Sequence, residues 1–193
     1  MTSDRPQTNA VFSVAILLAL IVAIHPGDAI AQTPKKLPSG NPCTVVPIPD
    51  VQRAFPGVKP GERATRMEKY GMTECEWKDG SGVVVFVIQE FYGRDTAMDE
   101  AQTLGMTMVQ GNAANARNVK YEVLTGVGLG NEAVALVEAR DAKRGIVTDG
   151  AMLVLHRGER TLFLTSSVLP KRDRAAALKT FEVLGKVAAA RLE

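Results

Sequence analysis

Apolar positions change their spacing several times between residue 43 and the end of the chain, and each change marks an element. Met72 to Lys78 alternates, with Cys75 and Trp77 on one side and Glu74, Glu76 and Lys78 on the other, as a half-buried strand does. Asp79-Gly80-Ser81-Gly82 then signals a hairpin. Val83 to Ile88 is β-branched and apolar on both sides, the composition of a central strand, and Gly93 breaks it. From Asp95 or Thr96, either able to cap, the spacing becomes helical to about Val109, with Ala97, Met98, Ala101, Leu104 and Met108 forming the stripe. After a small polar loop at Gly111 to Asn118, Val119 to Leu124 alternates again, and Ala133 to Glu138 follows as a further strand. Asp141 to Gly150 reads as a charged turn. Ala151 to Arg157 and Thr161 to Val168 pair as a hairpin across Gly158-Glu159. Asp173 to Leu192 is a long amphipathic helix with Ala175, Leu178, Phe181, Gly185, Ala188 and Leu192 inward. A short helix at Pro49 to Phe55, ended by Pro56-Gly57, precedes them all.

The order is helix, two strands, helix, four strands, helix. Short turns between consecutive strands mean a mainly antiparallel sheet. The fold class expected is α+β: about six strands in two hairpin-plus-helix halves, packed by two longer helices, with a short N-terminal helix.

Before these elements the pattern is different. Val11 to Ile24 is an unbroken apolar or small run, and the small-x-small triplet Ala29-Ile30-Ala31 follows. A run this short with such a triplet reads as a secretory signal peptide cleaved after Ala31. The rival is an uncleaved anchor, but His25, Pro26, Gly27 and Asp28 stop the apolar run early. The expected organisation is a signal peptide over 1–31, a Pro/Lys/Gly linker over 32–42 and one α+β domain over 43–193, periplasmic or secreted, with no membrane span after cleavage.

Export changes the reading of the two cysteines. Cys43 and Cys75 are the full complement, and an even pair in an oxidising compartment is most simply a disulfide. Closing that loop would stabilise the fold by roughly 3–4 kcal/mol in the chain-entropy model. The spacing is not C-x-x-C, which argues against redox chemistry. Charge adds little. Without Asp4, Arg5 and Asp28, the remaining chain carries 22 Lys+Arg against 19 Asp+Glu, interspersed, so no nucleic-acid partner is expected.

Candidate chemistry is sparse. After cleavage His156 is the only histidine, too few for a His/Cys zinc site, and it is expected at a surface or rim. Neither G-x-S-x-G nor S-x-x-K occurs after the leader, although Ser166 and Ser167 sit in a strand with His156 nearby in sequence. Gly126-Val127-Gly128 follows a strand like the start of a dinucleotide fingerprint, but Asn131 stands where its third glycine would be. Gly126, Gly128, Gly130 and Asn131 are therefore either a weak anion-binding nest or a tight connection that needs positive φ. Glu74 and Glu76 are expected on a solvated face. No cofactor, metal or catalytic residue is assigned.

Asn41-Pro42-Cys43-Thr44-Val45-Val46-Pro47, the helix Asp50 to Gly57, Cys75-Glu76-Trp77 and Gly126-Val127-Gly128-Leu129-Gly130-Asn131-Glu132-Ala133 together form a pattern. It resembles the small exported domains of unknown function in bacterial envelope proteins. Many of these are mycobacterial lipoproteins, and the extracellular sensor domain of a receptor-type serine/threonine kinase is similar. The resemblance implies an antiparallel sheet flanked by helices, a Cys43–Cys75 bond and no known catalytic residues. The chain departs from the lipoproteins in having no lipobox at Cys43. The function expected is a non-enzymatic module binding a small ligand or an envelope protein. The alternatives are an accessory subunit of an envelope complex or, last, a hydrolase using His156.

Overall fold

A computed structural model describes residues 37–93, 96–113, 118–125, 127–141, 146–168 and 173–192. The expected leader lies outside these residues, as do residues 32–36 of the expected linker.

The strands form one antiparallel sheet of seven, in the order β1-β2-β3-β7-β6-β5-β4. They are β1 Glu62–Ala64, β2 Met72–Lys78, β3 Val84–Tyr92, β4 Asn118–Thr125, β5 Glu132–Asp141, β6 Ile146–Arg157 and β7 Arg160–Ser166. The helices are α1 Ile48–Ala54, α2 Ala97–Ala113 and α3 Arg174–Ala189. The crossover through α2 carries the chain from β3 to the far edge, and the meander β4 to β7 brings it back beside β3.

The mixed α and β content and the antiparallel sheet agree with the sequence pattern, but the strand count is seven, not six. The extra strand is β1, whose Glu62, Arg63 and Ala64 have no apolar alternation to reveal them and pair with β2 through the backbone. The turn expected from Asp141 to Gly150 is also shorter. β5 continues to Asp141 and β6 starts at Ile146, paired to it. Backbone pairing prolongs this hairpin past the point where apolar alternation stops.

Register separates the two faces. Cys75 opposes Ile88, Trp77 opposes Phe86, and Ile88 opposes Leu164, which opposes Leu153. On this face they pack with Val51 and Phe55 at α1, and with Ala177, Phe181, Leu184 and Ala188 of α3. The α3 stripe is rotated slightly from expectation. Ala177 and Leu184 are buried, whereas Ala175 is exposed and Leu178 half-buried. Helix and sheet approach closely at Gly185, where a Cβ would fall 2.7 Å from Leu153 Cδ2 and 2.5 Å from Leu129 Cδ1. The Cys43–Cys75 disulfide lies on the same side, with Cα atoms 5.1 Å apart, and fastens the 3-10 turn Pro42–Thr44 to β2. Asp173 caps α3 by accepting from the Ala176 N–H at 2.9 Å.

The opposite face carries α2, but only over one half. Ala97, Ala101 and Leu104 pack on Val119, Ala133, Ala135, Val137, Met152, Val154 and Phe163 of β4 to β7. Thr96 is the cap, its Oγ1 accepting from the Asp99 N–H at 3.1 Å. On the same face β2 and β3 carry three buried polar residues, Glu74, Glu76 and Gln89, beside Val87.

Candidate functional site

The helix α2 meets the sheet beside its edge strand. Gly105 makes this possible, since a Cβ there would fall 2.2 Å from Cδ1 of Tyr121 on β4. A mid-helix glycine costs roughly 1 kcal/mol relative to alanine, and here it admits an aromatic ring beneath the backbone. Tyr121 lies in register with Val137, on the apolar face, and its hydroxyl is buried without a hydrogen-bond partner. Burial holds the phenol in its protonated form far above neutral pH.

Beside this contact a groove of about 450 Å³ opens between helix and strand. Gln102, Gly105, Met106, Val109 and Gln110 line it from α2, and Tyr121 and Val123 from β4. None of these side chains is ionised at neutral pH. Met106 is 59% exposed and Val109 42%, which puts them among the most exposed large apolar side chains of the described residues. The volume falls within the range of small-molecule sites, and the lining is of the kind that takes an apolar body. The sequence pattern missed this groove because it followed the stripe through Ala97, Ala101, Leu104 and Met108. The available signal was Met106, an apolar residue off that stripe.

The glycine loop has other contacts. Gly128 and Gly130 hold φ of 83° and 98°, the left-handed region a tight connection requires. The Gly128 N–H donates to the protein's own Glu132 Oε1 at 2.9 Å, so an incoming anion would compete with that carboxylate. Asn131 Oδ1 accepts from the Ala97 N–H at 2.9 Å and so secures the start of α2. Arg157 donates to the Leu129 carbonyl and crosses beside Gly130. Gly126 lies outside the described residues.

His156 is half-buried on the α2 face, its Nδ1 lying 2.8 Å from Thr161 Oγ1. The serines near it are turned elsewhere. Ser166 donates to the Val85 carbonyl at 3.1 Å and Ser167 to that of Val84 at 3.4 Å. The structure does not bring a serine to His156.

Glu74 and Glu76 require a correction. They are not solvated: Glu74 is fully buried and Glu76 nearly so. Arg66, from the loop after β1, covers them, 2.9 Å from Glu74 Oε1 and 2.6 Å from Glu76 Oε1. Gln89 donates to Glu74 Oε2 at 2.7 Å. Burial raises the Glu74 carboxyl above its ordinary range, and Arg66 and Gln89 offset this only in part. Strand alternation assigned these side chains to the correct face, but not the arginine that closes over them. Among the described residues no group of three or more His, Cys, Asp or Glu is placed to hold a metal ion.

Compared with known proteins, the chain matches no family model, no curated protein and no solved structure.

Proposed function

We propose that this chain is an exported binding module whose working surface is the groove between α2 and β4, and whose ligand is an apolar small molecule or an apolar segment of an envelope partner. The observation that carries the reading is the groove itself. It is uncharged and largely apolar, and its lining includes Met106 and Val109, which the fold leaves in water at a cost. Exposed apolar residues gathered at a concave site are characteristic of binding surfaces. The export part of the reading is supported by the leader pattern at 1–31 and by the closed Cys43–Cys75 bond. Among the described residues no helix is long and apolar enough to cross a membrane.

The test is titration with 1-anilinonaphthalene-8-sulfonate, an apolar probe that fluoresces on leaving water. Saturable binding to the folded protein, lost in Val109→Asp and retained in a Val183→Asp control on α3, supports the groove. Binding that is unchanged in Val109→Asp rejects it.

A further inference from the structure

The sheet ends differently at its two edges. β1, at one edge, is the three-residue strand Glu62–Ala64, with its charges engaged locally: Glu62 by Lys78 at 2.7 Å and Arg63 by Glu68 at 2.9 Å. Short, charged edges are how proteins avoid pairing with other chains. β4, at the other edge, runs from Asn118 to Thr125 and contains no proline. Among the described residues it has a strand neighbour on one side only. Its outer row of N–H and C=O groups is a template for another strand.

The sequence of β4 fits a second copy of itself. In an antiparallel pair, opposed residues share a face, so a two-fold related pair must keep Val119, Tyr121 and Val123 on the groove face. Two such registers pair most of the strand. Centred on Glu122, the pairing sets Glu122 against Glu122 of the second copy. Centred on Tyr121, it pairs residues 118–124 with each other and sets Lys120 opposite Glu122 twice, once on each side of the axis. Lys120 is well exposed, 3.8 Å from Glu138, and the partly exposed Glu122 is held by Arg174 at 2.7 Å, so both charges stand on the α3 face of the strand, away from the groove. The same centring sets Val119 opposite Val123, and it turns the exposed Met106 and Val109 of each α2 toward the shared edge.

We infer that β4 pairs antiparallel with β4 of a second copy of this chain, centred on Tyr121, forming a continuous sheet across a two-fold axis. Backbone hydrogen bonds between the two β4 strands hold the pair together, and the Lys120–Glu122 contacts select its register. The two grooves then meet at the axis. The pairing is carried by β4 and does not rest on the groove reading.

Sedimentation equilibrium of the native protein, Lys120→Glu and Glu122→Lys tests this pairing. The native protein is expected to be dimeric at micromolar concentration. Each variant alone opposes like charges at both contacts, and its dissociation constant is expected to rise roughly tenfold or more. An equimolar mixture of the two variants restores opposite charges at both contacts and is expected to form the heterodimer. Far-UV circular dichroism of each variant checks the fold, and the mixture keeps the test valid if one variant is slightly destabilised. A monomeric native protein, variants that dimerise as tightly as the native chain, or a mixture that stays monomeric would overturn the pairing. A monomeric native protein that still binds the apolar probe overturns the pairing and leaves the groove reading standing. A heterodimer that forms without any probe binding supports the pairing and rejects the groove reading.

Discussion

The two faces of the sheet are built differently. Under α1 and α3 the contact is apolar from Trp77 and Phe86 through Leu164 to Leu136, and the disulfide lies within it. Under α2 the apolar contact covers β4 to β7, while β2 and β3 present Glu74, Glu76 and Gln89 beneath Arg66. The first face is a continuous core and supplies most of the hydrophobic stabilisation. The second is divided between a smaller core, an ion-paired polar floor and an open groove at the edge. The larger core and the groove proposed to bind thus lie on opposite sides of one sheet.

Substitutions can break this division. Phe181→Ala empties a fully buried site on the α3 face and is expected to cost about 3–5 kcal/mol in urea denaturation, against about 2–3 kcal/mol for Leu104→Ala under α2. Equal costs would mean that the faces do not differ. Replacing Cys43 and Cys75 by serine releases a cross-link with a sequence separation of 32 and is expected to cost about 3 kcal/mol. Gly105→Ala drives a methyl group into the Tyr121 ring and is expected to lose about 1–3 kcal/mol, together with probe binding, as α2 lifts from β4. If Gly105→Ala instead stabilises by its helix propensity alone, the close approach is wrong.

The polar floor predicts an effect of opposite sign. The Glu74 carboxyl is raised in the folded state, so folding disfavours its ionised form. At a pH above the folded value, Glu74 is ionised both folded and unfolded, and the folded state bears the desolvation penalty. As pH falls through the folded value toward the ordinary value of 4.5, the folded carboxyl protonates first and the penalty is relieved. Glu74→Gln should therefore stabilise at neutral pH, less whatever the lost Arg66 pair contributed, and the gain should fade on acidification. Thermal melts of both proteins across this window check the sign. A loss at neutral pH would show that the Arg66 pair outweighs the burial. The smallest stability effect belongs to Met106→Gln, within about 0.5 kcal/mol, because this side chain is largely in water already.

Period-two spacing located β2 and helical spacing located α2 and α3, whereas β5 and β7, buried on both faces, were found as apolar runs between turn signals. β1 and the first residues of β6 were hidden because backbone pairing, not side-chain pattern, makes them strands. The half of α2 that packs on the sheet was legible from Ala97 to Leu104, but the groove was not. A groove depends on where the helix axis lies over the sheet, and that is set by the missing Cβ of Gly105 against one ring. The burial of Glu74 likewise depended on Arg66, a residue in a loop that carries no periodic signal.

The central claim is that binding belongs to the α2–β4 edge and stability to the α3 face. Amide chemical shifts recorded during titration with the anilinonaphthalene probe test it most directly. The account predicts shifts confined to Gln102 through Gln110 and to β4, with α3 and the Gly128–Asn131 loop unmoved. Shifts centred on α3 or on that loop would contradict it.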